Sequence, residues 1–206
     1  MDFSATNISS PKWKFTGNQY HSNAFYSKLG KCGLETKIYR NSVMCNEACI
    51  KIGNSCSVDD FTFINGGINT EIGNRVHIAP FTSIVGGGEM YIGSFTGIAA
   101  GCRLITGSDE CLGIGLTNPC VPKKYRFPKI GKIEVQKHSL IFSNSIIFPG
   151  VVIGEGSVVS AGSVVKKSIE PWGIYKMEND NLIRIADRPK ENIHNLETKC
   201  VEEFGH

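Results

Sequence analysis

Residues 135–169 read VQKHSL IFSNSI IFPGVV IGEGSV VSAGSV VKKSI, and an aliphatic side chain opens every group of six: Val135, Ile141, Ile147, Ile153, Val159 and Val165. Four residues after each stands a second small or aliphatic residue, in order Ser139, Ser145, Val151, Ser157, Ser163 and Ile169. A period of six matches neither the 3.6-residue repeat of an amphipathic helix nor the simple alternation of an isolated strand. It matches a β-solenoid, in which short strands turn corners and stack on the strand one coil away. Three hexads make one triangular coil.

The same register runs backwards through the chain. Ile52, Val58 and Ile64 make one coil, Ile72, Ile78 and Ile84 the next, and Ile92, Ile98 and Leu104 a third. The positions four residues on are again small or apolar: Cys56, Thr62, Val76, Thr82, Thr96 and Cys102. About five regular coils are therefore expected, preceded by an irregular one over residues 29–50 with Leu34, Ile38 and Val43 as its inward positions. The chain divides into an N-terminal arm or cap (1–28), the solenoid (29–170) and a C-terminal extension (171–206), helical from Pro189, which suits a first helical turn. Asn23 to Leu29 is expected to form a short helix. Non-repeating ends are needed because a solenoid otherwise exposes unpaired strand edges.

Departures from the period are informative. Ile64 to Ile72 and Ile84 to Ile92 span eight residues, and Leu104 to Val135 spans thirty-one. All three insertions follow the third side, so they stack at one corner: Gly66-Gly67, then Gly86-Gly87-Gly88, then a loop over 106–132. Glycines there permit tight turns and close approach. A long loop on a rigid scaffold usually carries function. This one holds Ser108, Asp109 and Glu110 near its start and Lys123, Lys124, Tyr125 and Arg126 further on.

The composition, 41% hydrophobic and 20% charged over 206 residues, supports one sizeable core. A net charge of +3 gives no reason to invoke nucleic acid, and no long apolar run or leader pattern is present. A soluble cytoplasmic protein without membrane insertion is expected. The eight cysteines form no Cys-x-x-Cys pair, which favours reduced thiols. The spacing of Cys45, Cys49 and Cys56 matches no usual zinc pattern.

The chain resembles the hexapeptide-repeat acyltransferases, in the branch that contains galactoside and maltose acetyltransferases and nucleotide-sugar N-acyltransferases. The resemblance covers about residues 29–175. It is carried most strongly by Phe148 to Lys167 with Pro171-Trp172, and also by Ile72 to Pro80 and Leu116 to Pro119. It implies an all-β fold, a left-handed parallel β-helix with a short C-terminal helix. It also implies a homotrimer with active sites between subunits, and an acyl-coenzyme A donor, acetyl-CoA being expected, with no metal. The pantetheine arm would run past Ser143, Asn144 and Ala161. Lys166 and Lys167 would meet coenzyme A phosphates, with Trp172 beside them in the cofactor set.

One departure bears on mechanism. Galactoside-type members open the long loop with Thr-Gly-His, whereas this chain reads Thr106-Gly107-Ser108, and no histidine lies in the loop. Asp109 and Glu110 become the candidate catalytic groups by position, and both could instead cap a turn. A sugar hydroxyl needs a base to be a competent nucleophile, and an amine needs less. The missing histidine therefore favours N-acylation of an amino-deoxysugar. Lys123, Tyr125 and Arg126 would hold a nucleotide diphosphate and base, with Asp60, Glu89 and Ser108 as further acceptor contacts. The expected role is in surface-glycan synthesis, of lipopolysaccharide or O-antigen type. The alternative is sugar O-acetylation with His77 or His138 as base. Other classes are a non-catalytic scaffold and a zinc hydratase, which would need three inter-subunit histidines.

Overall fold

The computed structural model describes residues 19–205. Three parallel sheets form the walls of a triangular prism. Wall one stacks Lys31–Cys32, Ile50–Ile52, Asn69–Ile72, Glu89–Ile92, Lys132–Val135 and Val152–Ile153. Wall two stacks Lys37–Ile38, Ser57–Val58, His77–Ile78, Gly97–Ile98, Leu140–Ile141 and Val158–Val159, continued by Gly173–Glu178 and Asn181–Asp187. Wall three stacks Val43–Cys45, Phe63–Asn65, Ser83–Val85, Arg103–Ile105, Ile146–Ile147 and Val164–Val165. The fold is a left-handed parallel β-helix of about seven turns with a short C-terminal helix. The sixth complete coil is followed by a seventh turn begun by the Ile153–Ile169 bridge.

Every expected inward position of the regular coils is buried. Ile78, Ile92, Val135, Ile141, Ile147 and Val159 have no exposed surface at all. A fully buried Val or Ile contributes roughly 1.5–3 kcal/mol, so one aliphatic column per wall holds the stack together. The small partner positions are buried too, and their chemistry explains why Ser, Thr and Cys recur there. Each turns back onto a corner carbonyl: Ser139 Oγ donates to Gly154 O at 3.1 Å, Ser157 Oγ to Glu170 O at 2.7 Å and Thr82 Oγ1 to Ala99 O at 3.1 Å. A buried hydroxyl is tolerated when its hydrogen bond is made inside.

Two details depart from expectation. The first coil is regular: Cys32, Ile38 and Met44 point inward, six apart, while Leu34 is 74% and Val43 54% exposed. Cys and Met replace the Ile and Val that mark later coils, so the aliphatic pattern settled on neighbours one or two positions off. The C-terminal extension is also not helical throughout. Gly173–Glu178 and Asn181–Asp187 form an antiparallel hairpin that extends wall two before the helix Lys190–Phe204. The N-terminal arm falls largely outside the described residues. Within them a helix, Asn23–Tyr26, packs Phe25 and Tyr26 against the end of the core.

All eight cysteines are free. Among the described residues no helix is long and apolar enough to cross a membrane.

Candidate active site

The three insertions stack at the corner between walls three and one. A Cβ on Gly67 would lie 2.2 Å from Gly88 O, and one on Gly88 2.2 Å from Gly131 O, so only glycine lets the successive turns nest. The long loop leaves this stack through Thr106, which is 2% exposed. Its Oγ1 donates to Val85 O and accepts from Gly88 N, both at 2.9 Å. Gly107–Ser108 then pairs antiparallel with Lys129–Ile130, which closes the neck of the loop.

Beyond the neck the two carboxylates of Asp109 and Glu110 diverge in role. Glu110 is 4% exposed. Its Oε2 accepts from Leu112 N and its Oε1 from Gly115 N, both at 2.8 Å. Those amides hold its carboxyl below the usual range. Both of its oxygens are engaged with backbone, so it organises the loop from within. Asp109 remains partly open, its side chain 26% exposed. Its Oδ1 accepts from Arg126 Nη2 at 2.7 Å and its Oδ2 from Asn118 N at 3.0 Å. The Arg126 guanidinium, first, and the Asn118 amide hold its carboxyl below the usual range.

Arg126 therefore commits its Nη2 to Asp109. Its Nε is buried and has no hydrogen-bond partner among the described residues. Tyr125 is half-exposed beneath Lys124, whose Nζ lies 4.7 Å from the ring centroid, and Lys123 is exposed. Ser108 is exposed, its Oγ donating to Asp109 O at 3.2 Å. Glu89 opens a wall-one strand at the same corner, its N donating to Gly131 O.

The other expected residues lie elsewhere on a single chain. Ser143, Asn144 and Ala161 share the corner between walls two and three, where a Cβ on Gly101 would meet Asn144 Oδ1 at 2.3 Å. Asp60 is at that corner, accepting from Asn41 N at 2.9 Å. His77 lies on wall two, 2.8 Å from Asp59 Oδ2, whose carboxylate raises the imidazole pKa. Lys166 and Lys167 are exposed at the end of wall three. They line a cavity of about 720 Å³ with Asp180, Asn181 and Tyr175.

His138 and Trp172 are at the corner between walls one and two, away from the rest. His138 is 5% exposed, adopts φ 61°, and contacts Glu197 Oε2 through Nε2 at 2.8 Å. Its ring lies between Phe95 and Trp172, with His194 alongside. The C-terminal helix covers it, so it faces no cleft on this chain. Glu197 was missed in the sequence, since it meets His138 fifty-nine residues away, across a corner that the repeat does not mark.

The inserted corner of this β-helix thus presents an arginine-held carboxylate and no histidine, and the comparisons supply its class, that of the hexapeptide-repeat acyltransferases. No family model and no curated protein matches the chain. Among solved structures, AntD, an N-acyltransferase from Bacillus cereus, is similar in two forms. A cysteine variant in complex with dTDP-4-amino-4,6-dideoxyglucose and Coenzyme A is 32% identical, with TM-score 0.83 over 91% of this chain and 100% of that one. AntD in complex with dTDP and 3-hydroxybutyryl-CoA is 34% identical, with TM-score 0.81 over 92% and 100%. A hexapeptide-repeat acetyltransferase from Vibrio cholerae, 18% identical with TM-score 0.54 over 84% and 85%, shares the fold. The chain belongs to the hexapeptide-repeat acyltransferase family.

Proposed function

We propose that this protein transfers an acyl group from an acyl-CoA to the amino group of a nucleotide-linked amino-deoxysugar. The observation that carries the reading is the pairing of Asp109 with Arg126 in a loop without histidine. The AntD complexes with dTDP, an aminosugar nucleotide and Coenzyme A support the same pair of substrates here, with thymidine diphosphate as the nucleotide.

The chemistry follows from the state of Asp109. A carboxylate held ionised by a guanidinium is a poor resting place for a proton, and a good acceptor for an N–H. Asp109 hydrogen-bonds the sugar amine and aims its lone pair at the thioester carbonyl carbon. The C–N bond forms, the carbonyl pair moves to oxygen, and collapse of the tetrahedral species breaks the C–S bond. The proton leaves the amine for the departing thiolate. Orientation is thus the role of Asp109, while Glu110 shapes the loop. His77 and His138 belong to the O-acylation alternative, and each is already paired with a carboxylate away from the loop.

The donor track passes Ser143, Asn144 and Ala161, with Lys166 and Lys167 toward the coenzyme A phosphates. Lys123, Tyr125 and Glu89 frame the nucleotide sugar. Leu112, Ile114, Leu116, Tyr125, Phe127 and Ile130 on one loop are all at least half-exposed on a single chain. Such a patch calls for a cover, which supports a homotrimer in which each loop completes a neighbour's site. The acylated sugar nucleotide suits cytoplasmic assembly of a surface glycan of lipopolysaccharide or O-antigen type.

A coenzyme A release assay over nucleotide-linked amino sugars and matched hydroxyl sugars tests the reading. Amino acceptors alone should turn over, and Asp109→Asn should lower kcat/KM by about 10² through loss of orientation. Turnover of hydroxyl sugars without amino sugars would sink the proposal.

A further inference from the structure

We propose that His138, His194 and Glu197 form a binding site for a divalent transition-metal ion of the zinc type, fastening the C-terminal helix to the β-helix. One ligand atom from each lies within 4.8 Å of the others. His194 and Glu197 are three residues apart on the helix Lys190–Phe204 and so share a face. That face meets His138, whose backbone is held at φ 61° and whose Nε2 already sits 2.8 Å from Glu197 Oε2. Phe95 and Trp172 flank the His138 ring at centroid distances of 5.4 and 6.3 Å, so the imidazole is preset.

The negative charge at this pocket is met at present by a displaceable side chain. The Lys137 ammonium stands 3.4 Å from Glu197 Oε2 and 3.7 Å from Glu155 Oε1. Glu155 Oε1 is in turn 3.1 Å from His194 Nε2 and orients that ring. Two imidazoles with a carboxylate suit zinc, cobalt or nickel better than calcium or magnesium. Drawing the donors to bond lengths of about 2.0–2.1 Å needs a small contraction of the cluster, and donors contributed by a helix and a solenoid corner can make it. Lys137, 42% exposed, can swing to solvent when the ion enters. The cluster lies at the corner between walls one and two, away from the acceptor loop, so the inference does not rest on the acyl-transfer reading.

The test uses the full chain after chelator treatment, titrated with zinc chloride by calorimetry and with cobalt chloride by visible absorption. The expected result is about one ion per chain, a tetrahedral cobalt spectrum, and a Tm rise of about 5–10 °C at a hundredfold excess over Kd. His194→Gln, which keeps a hydrogen-bonding group for Glu155, and Glu197→Ala should each weaken binding at least about tenfold. Lys137→Met should tighten it, because the competing internal cation is gone, an effect that adventitious binding by surface groups would lack. Absence of binding, or binding indifferent to all three substitutions, overturns the proposal.

Discussion

Replacing Thr106 by valine isolates one hydroxyl at the root of the acceptor loop. The two side chains have nearly the same shape, so packing is retained and polarity is lost. Val85 O keeps a second donor, the Thr106 amide at 2.7 Å, and is not orphaned. Gly88 N is left without its acceptor, the hydroxyl at 2.9 Å, in a buried position. A buried amide without a partner costs about 1–3 kcal/mol. For a chain of this length each kcal/mol lowers Tm by about 2–4 °C, so Thr106→Val should melt about 2–12 °C below the parent. Thr106→Ser keeps the hydroxyl and loses one methyl, about 0.5–1.5 kcal/mol by analogy with Ile→Val. Thermal unfolding at matched protein concentration ranks the two, and amide exchange locates the damage, which should appear at Gly88. A valine variant as stable as the parent, or a serine variant that is clearly worse than it, would refute the hydrogen-bond accounting.

Arg126→Met should move the acid limb of kcat/KM to higher pH when measured across about pH 4–8. The sign follows from the guanidinium, whose removal lets the depressed Asp109 pKa rise; in the parent, the stability that Asp109 contributes is present above the ordinary carboxylate value. It is lost as pH falls through the depressed one. An unmoved limb would show that Arg126 does not hold Asp109 ionised. Gly156→Ala should lower Tm and alter Trp172 fluorescence. Gly156 has φ 68° and a Cβ there would meet the Trp172 ring at 2.4 Å, so the left-handed backbone alone costs about 1–2 kcal/mol. Lys166→Met with Lys167→Met should raise KM for acyl-CoA several-fold, less so at high salt, with little change in kcat; a salt-independent effect would argue against phosphate contact.

How much of this was legible in the chain depends on where the physics is local. An aliphatic residue every sixth position and a small one four later are dictated within one hexad, since each strand must fill the same prism and each corner must find a donor for its carbonyl. Those positions could be read directly, and so could the insertion at 106–132, as a break in an otherwise steady count. Cys32 and Met44 hid because the marker was residue type rather than position, and they satisfy the wall by volume alone. The hairpin of 173–187 hid because its pairing is antiparallel and leaves the period altogether. Asp109 and Arg126 are seventeen residues apart, and His138 and Glu197 fifty-nine, so their meetings depend on a loop's path and on a helix docking across a corner.

That division has a functional consequence. A solenoid coil contacts only the coils beside it, so an insertion at one corner leaves the register of the walls intact, as Ile92 and Val135 pair in step across the whole excursion. The loop is thereby free to change its chemistry, serine at 108 in place of histidine included, without disturbing the corner that holds Ser143, Asn144 and Ala161. Glu110 and Thr106 are what such freedom requires. One satisfies amides inside the loop and the other ties its base to the preceding coil, so Asp109 is presented from a rigid mount although no regular strand carries it.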